Sequence, residues 1–181
     1  MALFDNLSEL VLFFVLTALI WGDWYAPTVS MWSDYELFKK WHLRASKYMW
    51  LPPTLVFPLF CVLIYVLMEV AFYSFFKSAF QNTSAPAELI PAVAFLFVFN
   101  LCCTKQWIAV YMVGRRTYLA FGLMLGMGAT AIVLVALFGF YKRWLELGTY
   151  APYLLWWLGA LYLTVRTWCV EKREETVKQV K

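Results

Sequence analysis

The chain has 181 residues and a formal net charge of +4, with 64% of its residues hydrophobic and only 14% charged. Soluble domains carry about 45–50% apolar and about 25% charged residues. The composition therefore excludes a single water-soluble core, points to a bilayer as the solvent, and leaves no nucleic-acid partner to expect.

The chain opens on "MALFDNLSEL", which is acidic where a signal peptide or a mitochondrial presequence would be basic. Ala2 rules out myristoylation, and the last four residues are not a prenylation box. The first apolar run is thus expected to stay in the mature protein. About 20 apolar residues cross a bilayer as a helix. Five segments are long enough: about 7–27, 50–76, 89–112, 117–141 and 150–170. Asp23 interrupts the far end of the first. Lipid leaves open backbone groups unsatisfied, and ten-residue alternation is missing, so helices are expected rather than a barrel. The predicted fold is all-α: an integral membrane bundle of five transmembrane helices in a single domain, 1–181.

Five crossings put the termini on opposite sides. Lys39, Lys40, Arg44, Lys47, Arg115, Arg116 and the tail residues Lys172, Arg173, Lys178 and Lys181 fall on one side. Lys77, Lys142 and Arg143 fall on the other. The excess places the C-terminus and its tail, 171–181, in the cytosol. Either a bacterial inner membrane or an organelle membrane such as the mitochondrial outer membrane suits this topology. The long connection, 28–49, is rich in aromatic and charged residues and is expected to be a functional lid loop. On the opposite side, "Asn82-Thr-Ser84" has the form of a glycosylation sequon.

Helical spacing groups candidate site residues into three stripes. Asn100, Cys103, Thr104, Trp107 and Tyr111 share a face of the third span; Tyr153, Trp156, Trp157, Ala160 and Thr164 lie near one stripe of the fifth; Phe57, Cys61, Tyr65, Met68 and Phe72 do likewise in the second. Aromatic walls with a few polar groups suit a flat, largely apolar ligand such as a porphyrin or a sterol. The same spacing also suits helix–helix packing with aromatic anchors at the interface. Glu69 and Lys105 are ionisable residues inside predicted spans, costly unless paired, and are expected to form an intramembrane ion pair. "Gly122-Leu-Met-Leu-Gly126" permits close helix approach, within the bundle or in a homodimer. Leu158, Tyr162 and Arg166 fit a loose sterol-contact pattern.

Cys61, Cys102, Cys103 and Cys169 lie in or beside apolar runs without zinc-ligand spacing, and read as small buried thiols. His42 is the sole histidine. These facts argue against a metal centre and most acid–base schemes. No catalytic residue and no required cofactor is expected.

The stretch "LPPTLVFPLFCVLIYVLM" (51–68) carries a more specific signal. Pro52 and Pro53 suit a helix start, and Pro58 a kink. With Val56, Phe57, Tyr65, Leu67 and Met68, the block resembles the translocator protein family, also called tryptophan-rich sensory proteins or peripheral benzodiazepine receptors. Tyr35, Lys40 and Trp41 in "DYELFKKW" resemble the family's first loop. Asn100 resembles the asparagine of its third helix, and "APYLLWWLGALYLT" (151–164) its fifth helix. The sequence departs from the family at Cys61, where a tryptophan is usual, at "CCTK" (102–105), at Trp41 and at Thr164. The resemblance implies a porphyrin- or sterol-binding cavity, with porphyrin or haem as ligand rather than cofactor. Tyr35, Trp41 and Trp50 would form the lid, Asn100 a polar contact, and Trp156 a stacking wall. Two other readings stay open: a membrane enzyme acting on porphyrin or isomerising a sterol, and a scaffold whose basic loop and tail recruit partners or anionic lipid.

Overall fold

The computed structural model describes residues 7–33, 35–47, 50–51, 53, 56–81, 89–113 and 116–179. The described residues are helical apart from turns and short connections. Six α-helices follow in order: α1 (Leu7–Ser33), α2 (Tyr35–Ala45), α3 (Val56–Phe80), α4 (Leu89–Ile108), α5 (Thr117–Phe140) and α6 (Trp144–Gln179). A π-helical turn, Ala109–Val113, extends α4. Among the described residues, three spans are long and apolar enough to cross a membrane: Leu59–Phe80, Leu89–Tyr111 and Thr117–Phe140. Leu7–Gly22 is a shorter apolar helix.

The segment expected to be a lid loop, 28–49, is largely helical. α1 continues to Ser33 and α2 occupies Tyr35–Ala45. α2 is amphipathic: His42 and Ala45 are buried, while Lys39, Lys40 and Leu43 are exposed. One edge of the helix thus packs on the bundle and the other faces outward. The second predicted span also shifts. α3 starts at Val56, not near residue 50, and Pro58 sits in its first turn, where a missing N–H leaves no helical bond unmade. Val56 N–H is held by Pro53 O at 2.7 Å. Pro58 is therefore part of the start signal and not a mid-helix kink. α6 begins earlier than predicted and carries Pro152 within it.

α4 packs on α5, α5 on α6, α6 on α3 and α3 on α1, and α1 meets α4 again, so the helices close a ring. In lipid, helices gain little from burying apolar surface against each other, and packing and hydrogen bonds hold them together. The α1–α3 seam shows this. Lys77 Nζ lies 2.8 Å from Glu9 Oε2, and Gln81 Nε2 donates to Glu9 Oε1 at 2.7 Å. Next come the rings of Phe13 and Tyr73, with centroids 6.1 Å apart. Glu69 follows, accepting from Thr17 Oγ1 at 2.5 Å and from Trp21 Nε1 at 2.8 Å. The steps of four on both helices set one antiparallel register.

Glu69 thus turns to α1, and among the described ion pairs none joins it to Lys105, contrary to expectation. Lys105 occupies an exposed position of α4. The cysteines divide: Cys103 is buried and Cys61 half-buried, but Cys102 and Cys169 are exposed. The end of the bundle away from α2 is tied by Glu146. It accepts from Ser74 Oγ at 2.9 Å and from Arg143 at 2.5 Å, joining α3 to α6. The sequon 82–84, Asp23 and Asp34 lie outside the described residues or have side chains that do.

Two glycines of α5 separate packing from open surface. Gly128 is buried, and a Cβ there would fall inside the van der Waals envelope of the Trp157 ring. The indole lies across the α5 backbone and donates its N–H to Met124 O at 2.8 Å. Gly122 has nothing within 4 Å of such a Cβ, whereas a Cβ on Gly126 would meet Cys103 Sγ of α4 at 3.3 Å. The GxxxG pair is thus split between an intramolecular contact and an open face. Overpacking costs about 1–3 kcal/mol. Gly128→Ala is expected to lower the melting temperature in detergent, and Gly122→Ala to leave it unchanged or raise it, since alanine is the better helix former. Thermal unfolding of the two variants checks the contrast.

Candidate ligand-binding site

A cavity of about 650 Å³ opens between α3 and α6 near the α2 end of the bundle. That size lies within the range of ligand pockets, about 300–1,000 Å³. α3 lines it with Val56, Phe60, Leu63, Ile64 and Leu67; α6 with Pro152, Leu155, Trp156, Gly159, Ala160 and Leu163. Trp50, Leu51 and Pro53, in the segment following α2, close one end, and Trp107 of α4 forms part of the floor. Every described lining residue is apolar or aromatic. Several face outward: Trp50 is 81% exposed and Leu155 70%. Phe60 and Leu63 are exposed as well and lie within the span Leu59–Phe80, so the mouth faces hydrocarbon. Phe60 and Trp156 meet across the cavity with ring centroids 5.5 Å apart.

Pro152 cannot donate a backbone hydrogen bond, so the α6 ladder is broken beside the cavity. Gly159 adds no side chain to the wall. Both features leave room against α3.

The predicted polar residues do something else. Asn100, Thr104, Tyr153 and Thr164 are buried. Asn100 Nδ2 donates to Met127 O at 2.9 Å and to Thr130 Oγ1 at 2.7 Å, while Tyr153 OH donates to Asn100 Oδ1 at 2.6 Å. Thr104 Oγ1 donates to Asn100 O at 2.9 Å and lies 3.1 Å from Tyr153 OH. Trp107 Nε1 donates to Thr164 Oγ1 at 3.2 Å, and Tyr111 OH lies 2.9 Å from Thr167 Oγ1. This network joins α4, α5 and α6, and it engages both the amide nitrogen and the amide oxygen of Asn100.

Of the expected site residues, Trp50, Trp107, Trp156 and Ala160 come together on the cavity wall. Asn100, Thr104, Tyr153 and Thr164 come together in the network behind it. Cys103 packs toward α5, and Tyr65 turns to α1, its ring centroid 6.4 Å from that of Trp21. Cys61 packs half-buried against the core. The side chains of Tyr35, Trp41 and Phe57 lie outside the described residues.

The α3 face that lines the cavity (56, 60, 63, 67) is one residue from the face expected from the sequence (57, 61, 65, 68). One residue is about 100° of helix rotation. No periodic signal in the sequence could have found it, because α3 is apolar nearly all round. Proline and glycine at 152 and 159 were the available pointers on α6.

The helices close a ring, Asn100 reaches from α4 to both α5 and α6, and Trp156 forms an aromatic wall. The sequence profile of the TspO/MBR family matches residues 10–169. The chain belongs to the TspO/MBR family. The match reaches into every helix of the ring, so the family extends over the cavity and the network alike. It also establishes the chain as a multi-pass integral membrane protein with a general binding, transport or sensing role. No individual curated protein matches closely enough to refine this.

The network and the cavity should respond differently to substitution. Asn100→Ala leaves buried donors and acceptors unmatched, at about 1–3 kcal/mol. It is expected to lower the melting temperature clearly. Ala160→Phe, directed into open space, is expected to leave the melting temperature close to that of the parent. Melting curves in one detergent decide between them.

Proposed function

We propose that this protein binds flat, apolar ligands drawn from the bilayer into the α3–α6 cavity, as a carrier or sensor. The observation that supports this most is the cavity itself: large, ring-lined, and open to hydrocarbon rather than to water. Family membership supports the same class of role. The ligands suggested by the resemblance are sterols and porphyrins, and the lining favours the first. A porphyrin carries carboxylates, and burying an unpaired charge is costly. The described lining offers no cation to meet one. A sterol needs only apolar walls and one polar contact at the rim. Five crossings, with α2 and the C-terminus in the cytosol, complete the proposal, and the open Gly122 face of α5 is available to a second copy.

Titration of the protein in lipid nanodiscs with a fluorescent sterol, and separately with protoporphyrin, tests the reading through tryptophan quenching. Saturable quenching at micromolar ligand is expected, with the sterol tighter. Ala160→Phe is expected to weaken binding at least about tenfold, the scale of 1.4 kcal/mol, while Asn100→Ala weakens the fold more than the affinity. The absence of saturable quenching by either ligand overturns the proposal.

A further inference from the structure

At 11 residues, α2 is too short to cross a bilayer, and it carries Glu36, Lys39, Lys40 and Arg44. Its faces are clearly divided. His42 and Ala45 face the bundle. Arg44 bonds Glu171 of α6, and Thr117 Oγ1, at the start of α5, donates to the other Glu171 oxygen at 2.8 Å. This junction fixes the height of α2. It lies level with the start of the span Thr117–Phe140, that is, at the edge of the hydrocarbon.

The outward face carries Lys39, Lys40 and Leu43, and the following turn adds Lys47, all exposed. The turn is held by Ser46 N–H to His42 O at 2.9 Å and Lys47 N–H to Arg44 O at 3.3 Å. Leu43 is 56% exposed, and Trp50, shortly beyond Lys47, points outward as well. Arg116 and Arg173 are exposed at the same end. Lysines alternating with a large aliphatic and an indole are hard to satisfy in water alone. An aqueous polyanion would meet the charges and leave Leu43 and Trp50 wet. At the boundary of a leaflet both needs are met: lysine stems lie along apolar surface with the ammonium groups at the headgroups, and tryptophan rests at the interface.

We infer that the Lys39–Lys40–Lys47 face of α2, with Leu43 and Trp50, is a docking surface for anionic phospholipid headgroups in the leaflet on its side of the membrane. Charge complementarity selects the lipid, since basic residues beside an anionic leaflet are attracted to it within about a Debye length. The side chains of Leu43 and Trp50 hold the helix flat on that surface.

The test uses the full chain in nanodiscs of phosphatidylcholine mixed with phosphatidylglycerol, one of the two brominated at a time. The Trp50 contribution is obtained by difference from the Trp50→Phe variant. At low salt, brominated phosphatidylglycerol is expected to quench Trp50 more than brominated phosphatidylcholine at equal mole fraction. In the Lys39→Gln, Lys40→Gln, Lys47→Gln triple variant that excess should fall roughly threefold or more, and high salt should reduce it in the parent. Lys142→Gln, an exposed lysine at the opposite end of the bundle, is expected to leave it unchanged. Circular dichroism of the triple variant confirms that the helices are intact. Equal quenching by the two lipids in the parent shows lipid contact without headgroup selection and overturns the inference. An excess that survives the triple substitution overturns it as well.

Discussion

The structure depends on the amide of Asn100. Its nitrogen reaches the α5 backbone and Thr130, and its oxygen receives Tyr153 of α6, so one buried side chain joins three helices. In a bilayer the apolar contrast between helix and solvent is nearly absent, which leaves such bonds and close packing to set the arrangement. Trp157, seated on Gly128 and bonded to Met124 O, repeats the theme between α5 and α6. Together these contacts make α4, α5 and α6 one tightly joined unit.

That unit explains where the open space is. The polar groups expected to face a ligand are engaged with one another, so the cavity falls at the seam that lacks them. Among the described residues, side-chain bonds join α3 to the α6 end through Glu146, Ser74 and Arg143. Toward the α2 end the two helices meet through Phe60, Trp156 and small or cyclic residues, and there they part. The described wall of the cavity is apolar or aromatic throughout. Asn100, expected to offer a ligand its polar contact, is here bonded to Met127 O, Thr130 and Tyr153.

α1 and α2 belong to the same logic. α1 holds its place through a ladder of contacts with α3, ending in the Glu69 carboxylate. α2 is tied to the bundle by Glu171 and leads the chain toward Trp50, Leu51 and Pro53 on the cavity wall.

The membrane class, the helical fold and the family were legible in the sequence because they rest on local properties: apolar run length, the proline block at 52–58, and the order of a few aromatic and polar residues. Trp107, Trp156 and Ala160 stood out by helical spacing and Trp50 as a lid residue by the resemblance, and the structure places all four on the cavity lining. The helical course of 28–33 and 35–45 was harder to read, because charge and aromatic density resemble a loop until α2 is packed on one edge. The partner of Glu69, the engagement of Asn100 and the rotation of α3 were not in the sequence. A helix that is apolar all round has no preferred face of its own; its orientation comes from the neighbours it packs against, and only the assembled bundle supplies those.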